Sequence, residues 1–503
     1  MKKRIFALLL AMLLTAASMT ACGESAENSD APAADSTAPA AEETVPAEEE
    51  AGSEEDARLA LPDNLPDVKY DGREFRTLTT DGYASYGFDY STELVAEDLN
   101  GDACNDAVYN RDVKIEDRFD AKITCAMDAT PSTYIATMVT SGSDEYEIVG
   151  MYDFLSYNPI NAKAIFNWME VPNLDLSQPW HNKLANEGAT INGRLFTICS
   201  DLSITSMLYT HAIFFNAPLL SDYGYSTEDM YTLVKEGKWT IDKMIEITSP
   251  MYVDVDGNGK RDETDTYGFA YSVWNAADVW LSAFDQSVVK PSADGVEITF
   301  MTDKTVAIVE KLCDWHYNSG CFCNYAKIYA EESYLKEGSL VMAPIRFKAC
   351  FDTLRDMDAQ YCMIPFPKWD EAQENYLTNA DDKFTVFAIP LTADGSLDFI
   401  GVLYEALSAE SYKTVYPAYY DTALKGKYSS DPTTAEMVDL IMAGRNFDFS
   451  FQFGDSYFQQ LPYWVRQAIQ SNDTAVATRY AKIQKALTKG LSKSLYPLYG
   501  LEG

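Results

Sequence analysis

Apolar positions along this chain recur with two different periods, and the switches between them outline the elements. REFRTLT (73–79) reads as a strand. DACNDAVYNRDVKIEDRFDAKITC (102–125) then gives a helix followed by a strand, with Val108, Ile115 and Phe119 at helical spacing between charges. YEIVGMYDF is a further strand, and GRLFTICSDLSITSMLYTHAIFFN suggests two more. Ser226 to Asp229 has the form of a capping box. Thr240 caps a helix with Ile241, Met244, Ile245 and Thr248 on one face, and Pro250 stops it. TYGFAYSV, SLVMAPIRF, QYCMIPFP and KFTVFAIP read as strands, and the last quarter reads as mainly helical. Strands alternating with helices over this length predict an α/β architecture with largely parallel sheets.

The N-terminus follows neither period. MKKR is a basic start, IFALLLAMLLTAAS an apolar run, and MTAC ends at a small residue before a cysteine. This pattern predicts a signal peptide over 1–21 and lipidation of Cys22. No later stretch reaches the length of a membrane-spanning helix. An acidic linker follows over 22–65, whose first part, rich in Ala, Glu, Ser, Pro and Asp, has too few large apolar residues to fold. As a flexible coil, 22–57 would reach about 30–36 Å.

Composition narrows the chemistry. The chain of 503 residues carries a net charge of −38, and the part beyond the linker is acidic in its own right. Such a field repels phosphate backbones and favours a neutral or cationic ligand. Eight cysteines follow Cys22 (104, 125, 199, 313, 321, 323, 350 and 362), without a CxxC pair; most read as buried small hydrophobes, with one or two disulfides open. GxSxG, GxxxxGK[ST] and GxGxxG are all absent, and His181, His211 and His316 lack an HExxH or H-x-H partner. With 77 acidic residues a glycosidase-like carboxylate pair stays open, because any two could be chosen.

Residues 254–265, DVDGNGKRDETD, have the spacing of a 12-residue calcium loop. Asp254, Asp256, Asn258, Lys260 (through its carbonyl), Asp262 and Asp265 occupy the ligand positions, and Gly259 the turn. Aspartate at the last position shortens the bidentate reach, and a solvated Asx/Gly turn without metal is the alternative. Pro250 before the loop and a strand after it exclude a helix–loop–helix sensor, so Ca2+ would be a structural brace. The 33 Tyr, 24 Phe and 8 Trp cluster at YSVWNAADVW and FDFSFQFGDSYFQQLPYW. Their rings are either core or flat faces on which sugars stack.

Several segments together resemble the extracellular solute-binding lipoproteins of bacterial ABC importers, the carbohydrate-type group related to maltose-binding protein. They are NDAVYNRDVKIEDRF, HAIFFN with APLLSDYG, EGKWTIDKMIEI before the loop, SLVMAPIRF, CMIPFPKWDEAQENY, TVFAIP and ALSAESYKTVYPAYYDTALKGKY. The resemblance implies a two-lobed, periplasmic-binding-protein-like α/β fold (type II) with a ligand cleft between lobes. It implies a first lobe of 66–198 and 384–412, a second of 199–383 and 413–503, and crossings near Phe196–Asp201 and Lys383–Pro390. It nominates Asp81 and Tyr83, Asp153, Arg346 (where the family often has an aromatic) and Trp464 as ligand contacts, with Trp274 and Trp280 as weaker ones. The expected role is a monomer, anchored through Cys22 to the outer face of the cell membrane. It would capture a carbohydrate, expected to be an oligosaccharide, for an ABC permease without performing chemistry. A surface glycan-degrading enzyme and a binding protein for a non-sugar solute are the rivals.

Overall fold

The computed structural model describes residues 54–82, 93–318, 320–323, 328–420 and 432–502. Asp56–Gly503 forms one compact unit. Strands β1 (Arg73–Thr80), β2 (Ala121–Asp128) and β3 (Ile148–Tyr152) open the fold. β4 (His211–Asn216), β5 (Tyr267–Tyr271), the hairpin β6 (Val289–Ser292) and β7 (Gly295–Ile298), and β8 (Phe322–Cys323) follow. After them come β9 (Leu340–Arg346), β10 (Tyr361–Ile364), β11 (Thr378–Asn379) and β12 (Thr385–Ala388). Two sheets hold nine of them, in the orders β12-β3-β1-β2 and β10-β4-β9-β5-β8; β6 and β7 pair with each other, and β11 pairs with Arg445–Asn446.

The sheets are mixed rather than largely parallel. β1 pairs parallel with β2 and β3, and β5 with β8 and β9, but β12 enters antiparallel to β3 and β4 antiparallel to both β9 and β10. The exceptions flank the passages between lobes. β4 begins just after the chain leaves the first sheet, and β12 is the strand on which it returns, so neither is a repeat of the βαβ unit. Of the two strands expected over 193–216 only β4 forms. The earlier half makes single bridges, Ile198 to Phe387 and His181 to Ser200, and a short helix Thr205–Leu208.

The helices follow their apolar stripes. In Ala103–Phe119, Val108, Ile115 and Phe119 are buried, and the side chain of Asp102 caps the first turn by accepting from the Cys104 and Asn105 N–H groups. Ser226 and Asp229 form the reciprocal capping box, and Thr240 caps Ile241–Thr248. Phe75, Phe119, Trp168, Phe387, Phe399 and Leu403 share the core of the first lobe. Helix Pro432–Ala443 packs on β10, and Trp464–Ser471 packs on the helices Asn275–Ala283 and Asp303–Asn318 of the second lobe.

Between the lobes the outgoing and returning segments run side by side. Ile198 and Phe387 exchange both backbone hydrogen bonds, the Asp381 N–H donates to Tyr209 O at 2.9 Å, and Thr210 bridges Ala380. The buried Glu93 carboxylate ties both segments to β1. It accepts from Thr79 Oγ1 at 3.2 Å, from Thr385 Oγ1 at 2.7 Å and from Ser203 Oγ. Gly150 on β3 permits the close approach of the returning strand; a Cβ there would stand 3.1 Å from both Phe387 and Thr385. Among the described residues no helix is long and apolar enough to cross a membrane.

Candidate ligand cleft

The returning segment carries Asp381, Asp382 and Lys383, all buried, where the lobes meet. Asp381 is the hub. It accepts from Asn275 Nδ2 at 2.6 Å and from the Lys383 N–H at 3.2 Å, and pairs with Lys383 Nζ at 3.1 Å and Arg346 Nη1 at 3.5 Å. Burial opposes its ionisation, but Lys383 and Arg346 together hold its carboxyl well below the usual range. Asp382 shares Lys383 Nζ at 3.0 Å and Asn275 Nδ2 at 3.2 Å, yet burial and the neighbouring Asp381 charge push it upward.

Beside this cluster opens a cleft of about 350 Å³. Phe154, Trp274 and Tyr463 supply aromatic surface, Asn275, Gln460, Gln467 and Gln470 supply amides, and Asp382, Lys383, Asp455 and Arg466 supply charge. One helix explains much of the wall. Tyr463, Arg466, Gln467 and Gln470 recur at i, i+3, i+4 and i+7 and face the cleft, whereas Trp464, Val465, Ala468 and Ile469 on the other side are buried. Arg466 lies 4.4 Å from the Trp274 ring centre and 4.6 Å from that of Tyr463, and pairs with Asp278 Oδ2 at 3.2 Å. Burial pushes the Asp278 carboxyl up to about 8 in spite of that arginine.

Behind the cleft, sharing Asp382 with it, is a small cavity of about 30 Å³. Asp153 lines it, together with Thr197, Asn379 and Gln452. Gln452 Nε2 donates to Ser156 Oγ at 2.8 Å, Thr197 Oγ1 at 3.0 Å and, more weakly, Asp153 Oδ1 at 3.4 Å. Burial, reinforced by the Asp382 charge, pushes the Asp153 carboxyl up to about 8.

The residues nominated from sequence scatter around this arrangement. Trp274 stands in the cleft wall, and Asp153 lines the cavity behind it. Asp81 is exposed at the end of β1, its N–H bonded to Asp128 O, and Tyr83 and Cys22 lie outside the described residues. Three nominations need correction. Trp280 is fully buried between Phe269, Phe284, Trp315 and Phe366, with its N–H donated to Tyr271 OH at 3.1 Å. Trp464 is buried against Phe300 and Arg479, one position out of step with the cleft face of its helix. Arg346 is buried as well. Its guanidinium covers the Tyr329 ring at 3.7 Å and pairs with Asp381 and with Glu332, so it supports the hub rather than facing a ligand. Asn275, Asp382, Lys383, Tyr463 and Arg466 escaped the sequence reading. The polar stripe of 463–470 and the DDK triplet at the crossing were the signals that could have found them.

The loop at 254–265 leaves helix Ile241–Thr248 through a single 3-10 turn and is closed by the Val253–Thr266 bridge before β5. Asp254, Asp256 and Asp265 each offer a carboxylate oxygen, all within 4.8 Å of one another. Asp254 accepts from the Gly257 and Gly259 N–H groups at 2.8 and 2.9 Å, and buried Asp265 accepts from the Val255 N–H at 3.1 Å and Tyr252 OH at 3.0 Å. Asn258 Oδ1 accepts from the Lys260 N–H, Asp262 accepts from the Thr264 N–H at 3.0 Å, and the Lys260 carbonyl accepts from Tyr252 OH at 3.4 Å. Oxygen donors converge there with backbone N–H groups holding them in place, an arrangement that fits a hard cation.

Elsewhere, Cys199 and Cys313 are buried free thiols and Cys104 and Cys125 half-buried ones. His181 is buried against Glu405 at 2.8 Å, and burial drives His211 down to about 3.

No family model matches the chain, and no curated protein matches it either. Among solved structures it is similar to the GacH receptor of Streptomyces glaucescens GLA.O, solved unliganded and with acarbose and an acarbose homolog, and compared there with acarbose-loaded maltose-binding protein of Salmonella typhimurium. The match is 12% identical, covers 83% of this chain and 99% of that one, and has a TM-score of 0.52. At that identity the likeness carries the architecture: this chain has the two-lobed α/β fold of that receptor.

Proposed function

We propose that this protein is a lipid-anchored extracellular solute-binding protein that captures a carbohydrate, an oligosaccharide in size, and delivers it to an ABC permease without chemical change. The observation that carries the reading is the cleft itself. Aromatic faces (Phe154, Trp274, Tyr463) alternate with amides and charges beside the strands that link the lobes. Rings give a sugar's apolar face somewhere to stack, and the polar groups between them meet its hydroxyls. The fold shared with a receptor whose ligand is acarbose supports the same ligand class. We take the lobes as 66–198 with 384–412 and 199–383 with 413–503, closing on ligand by a hinge at the crossings. Residues 1–21 act as the signal, Cys22 carries lipid, 22–65 tether a monomer to the outer face of the membrane, and Ca2+ held by 254–265 braces the second lobe.

A thermal-shift screen of the protein against sugars, peptides and amines, with each hit checked for product, tests the reading. Ligand at 100 times its Kd stabilises by about 2.7 kcal/mol. A rise in Tm with one sugar class and unaltered sugar is the expected result. A product from any hit would replace the binding protein with an enzyme, and a shift only with non-sugars would remove carbohydrate.

A further inference from the structure

The carbohydrate reading leaves the charge of the ligand open, and the cleft is selective on that point. Each cation at its wall is already engaged. Arg466 is paired with Asp278, and Lys383 is shared between Asp381 and Asp382. The carboxylates are less well matched. Asp382 has half of one lysine, and Asp455 in the wall is exposed.

The uncompensated polar atoms point the same way. Among the described residues lining the cleft and the cavity behind it, three buried side-chain atoms lack a hydrogen-bond partner: Asn275 Oδ1, Asn379 Oδ1 and Gln452 Oε1. Asn275 Oδ1, in the cleft wall, is the one whose identity as an acceptor its neighbours fix. Asn275 cannot relieve this by turning its amide over, because its Nδ2 already donates to Asp381 and Asp382; a flip would set an oxygen against two carboxylates. Asn275 is itself more than nine-tenths buried. A hydroxyl brings one donor and no charge, whereas an ammonium brings three donors and the missing positive charge.

Resting on the carbohydrate reading, we propose that the cleft selects a glycan carrying free amines, an ammonium seating against Asp382 and Asn275 with Asp455 at the mouth. An N-acetylated sugar would bring no charge, and a carboxylated one the wrong charge, to Asp382 and Asp455.

Calorimetric titration of the protein with three tetrasaccharides of one backbone separates the possibilities: β-1,4-linked glucose, glucosamine and N-acetylglucosamine. The expected result is that the glucosamine form binds at least tenfold tighter than the other two. The advantage should shrink as salt is raised and fall at least tenfold in Asp382→Asn. Because Asp382 belongs to a buried network, the exposed Asp455→Asn serves as a second variant, expected to lose part of the advantage with Tm unchanged. Equal or weaker binding of the glucosamine form overturns the proposal and leaves the carbohydrate reading standing. Binding of spermidine with no tetrasaccharide bound keeps the preference for amines and overturns carbohydrate. Failure of every probe to bind overturns both.

Discussion

Trp274 and Trp464 are the same residue type with opposite surroundings, and the difference decides what each substitution should do. Trp274 is 39% exposed in the cleft wall, so Trp274→Ala should weaken sugar binding with little change in Tm. Trp464 is 2% exposed, and Trp464→Ala should cost about 3–5 kcal/mol of stability through the cavity it leaves. Denaturant unfolding beside calorimetric titration separates the two effects; a stable Trp464→Ala with weakened binding would return that ring to the site. Asp153 makes a second prediction. Its carboxyl, raised from 3.8 to about 8 chiefly by burial and then by Asp382, keeps its proton in the folded state at pH values where the unfolded chain has lost it. That contribution to stability is whole below about pH 4 and is lost as pH rises through about 8. Asp153→Asn keeps a neutral side chain, so its Tm should fall less steeply than the parent's between about pH 5 and about pH 8.5. Parallel slopes would show that another group carries the titration. Individual site residues were the least legible in the sequence. Asp153 stood out at a strand end, but whether a tryptophan faces a ligand or a core depends on neighbours distant in sequence, as Trp464 depends on Phe300.

At the scale of elements the sequence was far more readable, because the signals are local. The caps at Ser226 and Thr240 and the stripe of Val108, Ile115 and Phe119 stand where their spacing put them. The segment 193–208 was misread since its apolar run is buried beside the returning strand, where single bridges replace a ladder. The loop at 254–265 belongs to this scale also. Its three convergent carboxylates repel one another without a cation, so calcium should raise Tm and chelation should lower it. Asp254→Ala should abolish the response while leaving sugar affinity in place. A calcium-independent Tm would leave the loop as a braced Asx/Gly turn, which its internal hydrogen bonds already support.

For the whole molecule, the two passages between lobes and the Glu93 carboxylate that ties them define where bending can occur. If the cleft closes on its ligand, small-angle scattering should register a smaller radius of gyration with bound sugar than without it. An unchanged radius at saturation would mean that binding occurs in a rigid groove. The architecture was readable only through several soft segments taken in order. The mixed sheets were not, because pairing direction at β4 and β12 follows from the route of the chain and not from the composition of either strand.

That route has a consequence for the order in which the molecule can be made. β12 completes the first sheet by pairing with β3, yet it lies beyond the entire sequence of β4 to β11. A chain emerging from the ribosome or from an export channel therefore presents β3 with a bare edge until Thr385–Ala388 arrives, and bare edges invite pairing with other chains. A product truncated just before Thr385 should accordingly stay protease-sensitive and self-associate, whereas the finished chain covers the β3 edge with β12. The last strand to join the first lobe is thus also the one that shields it during biogenesis.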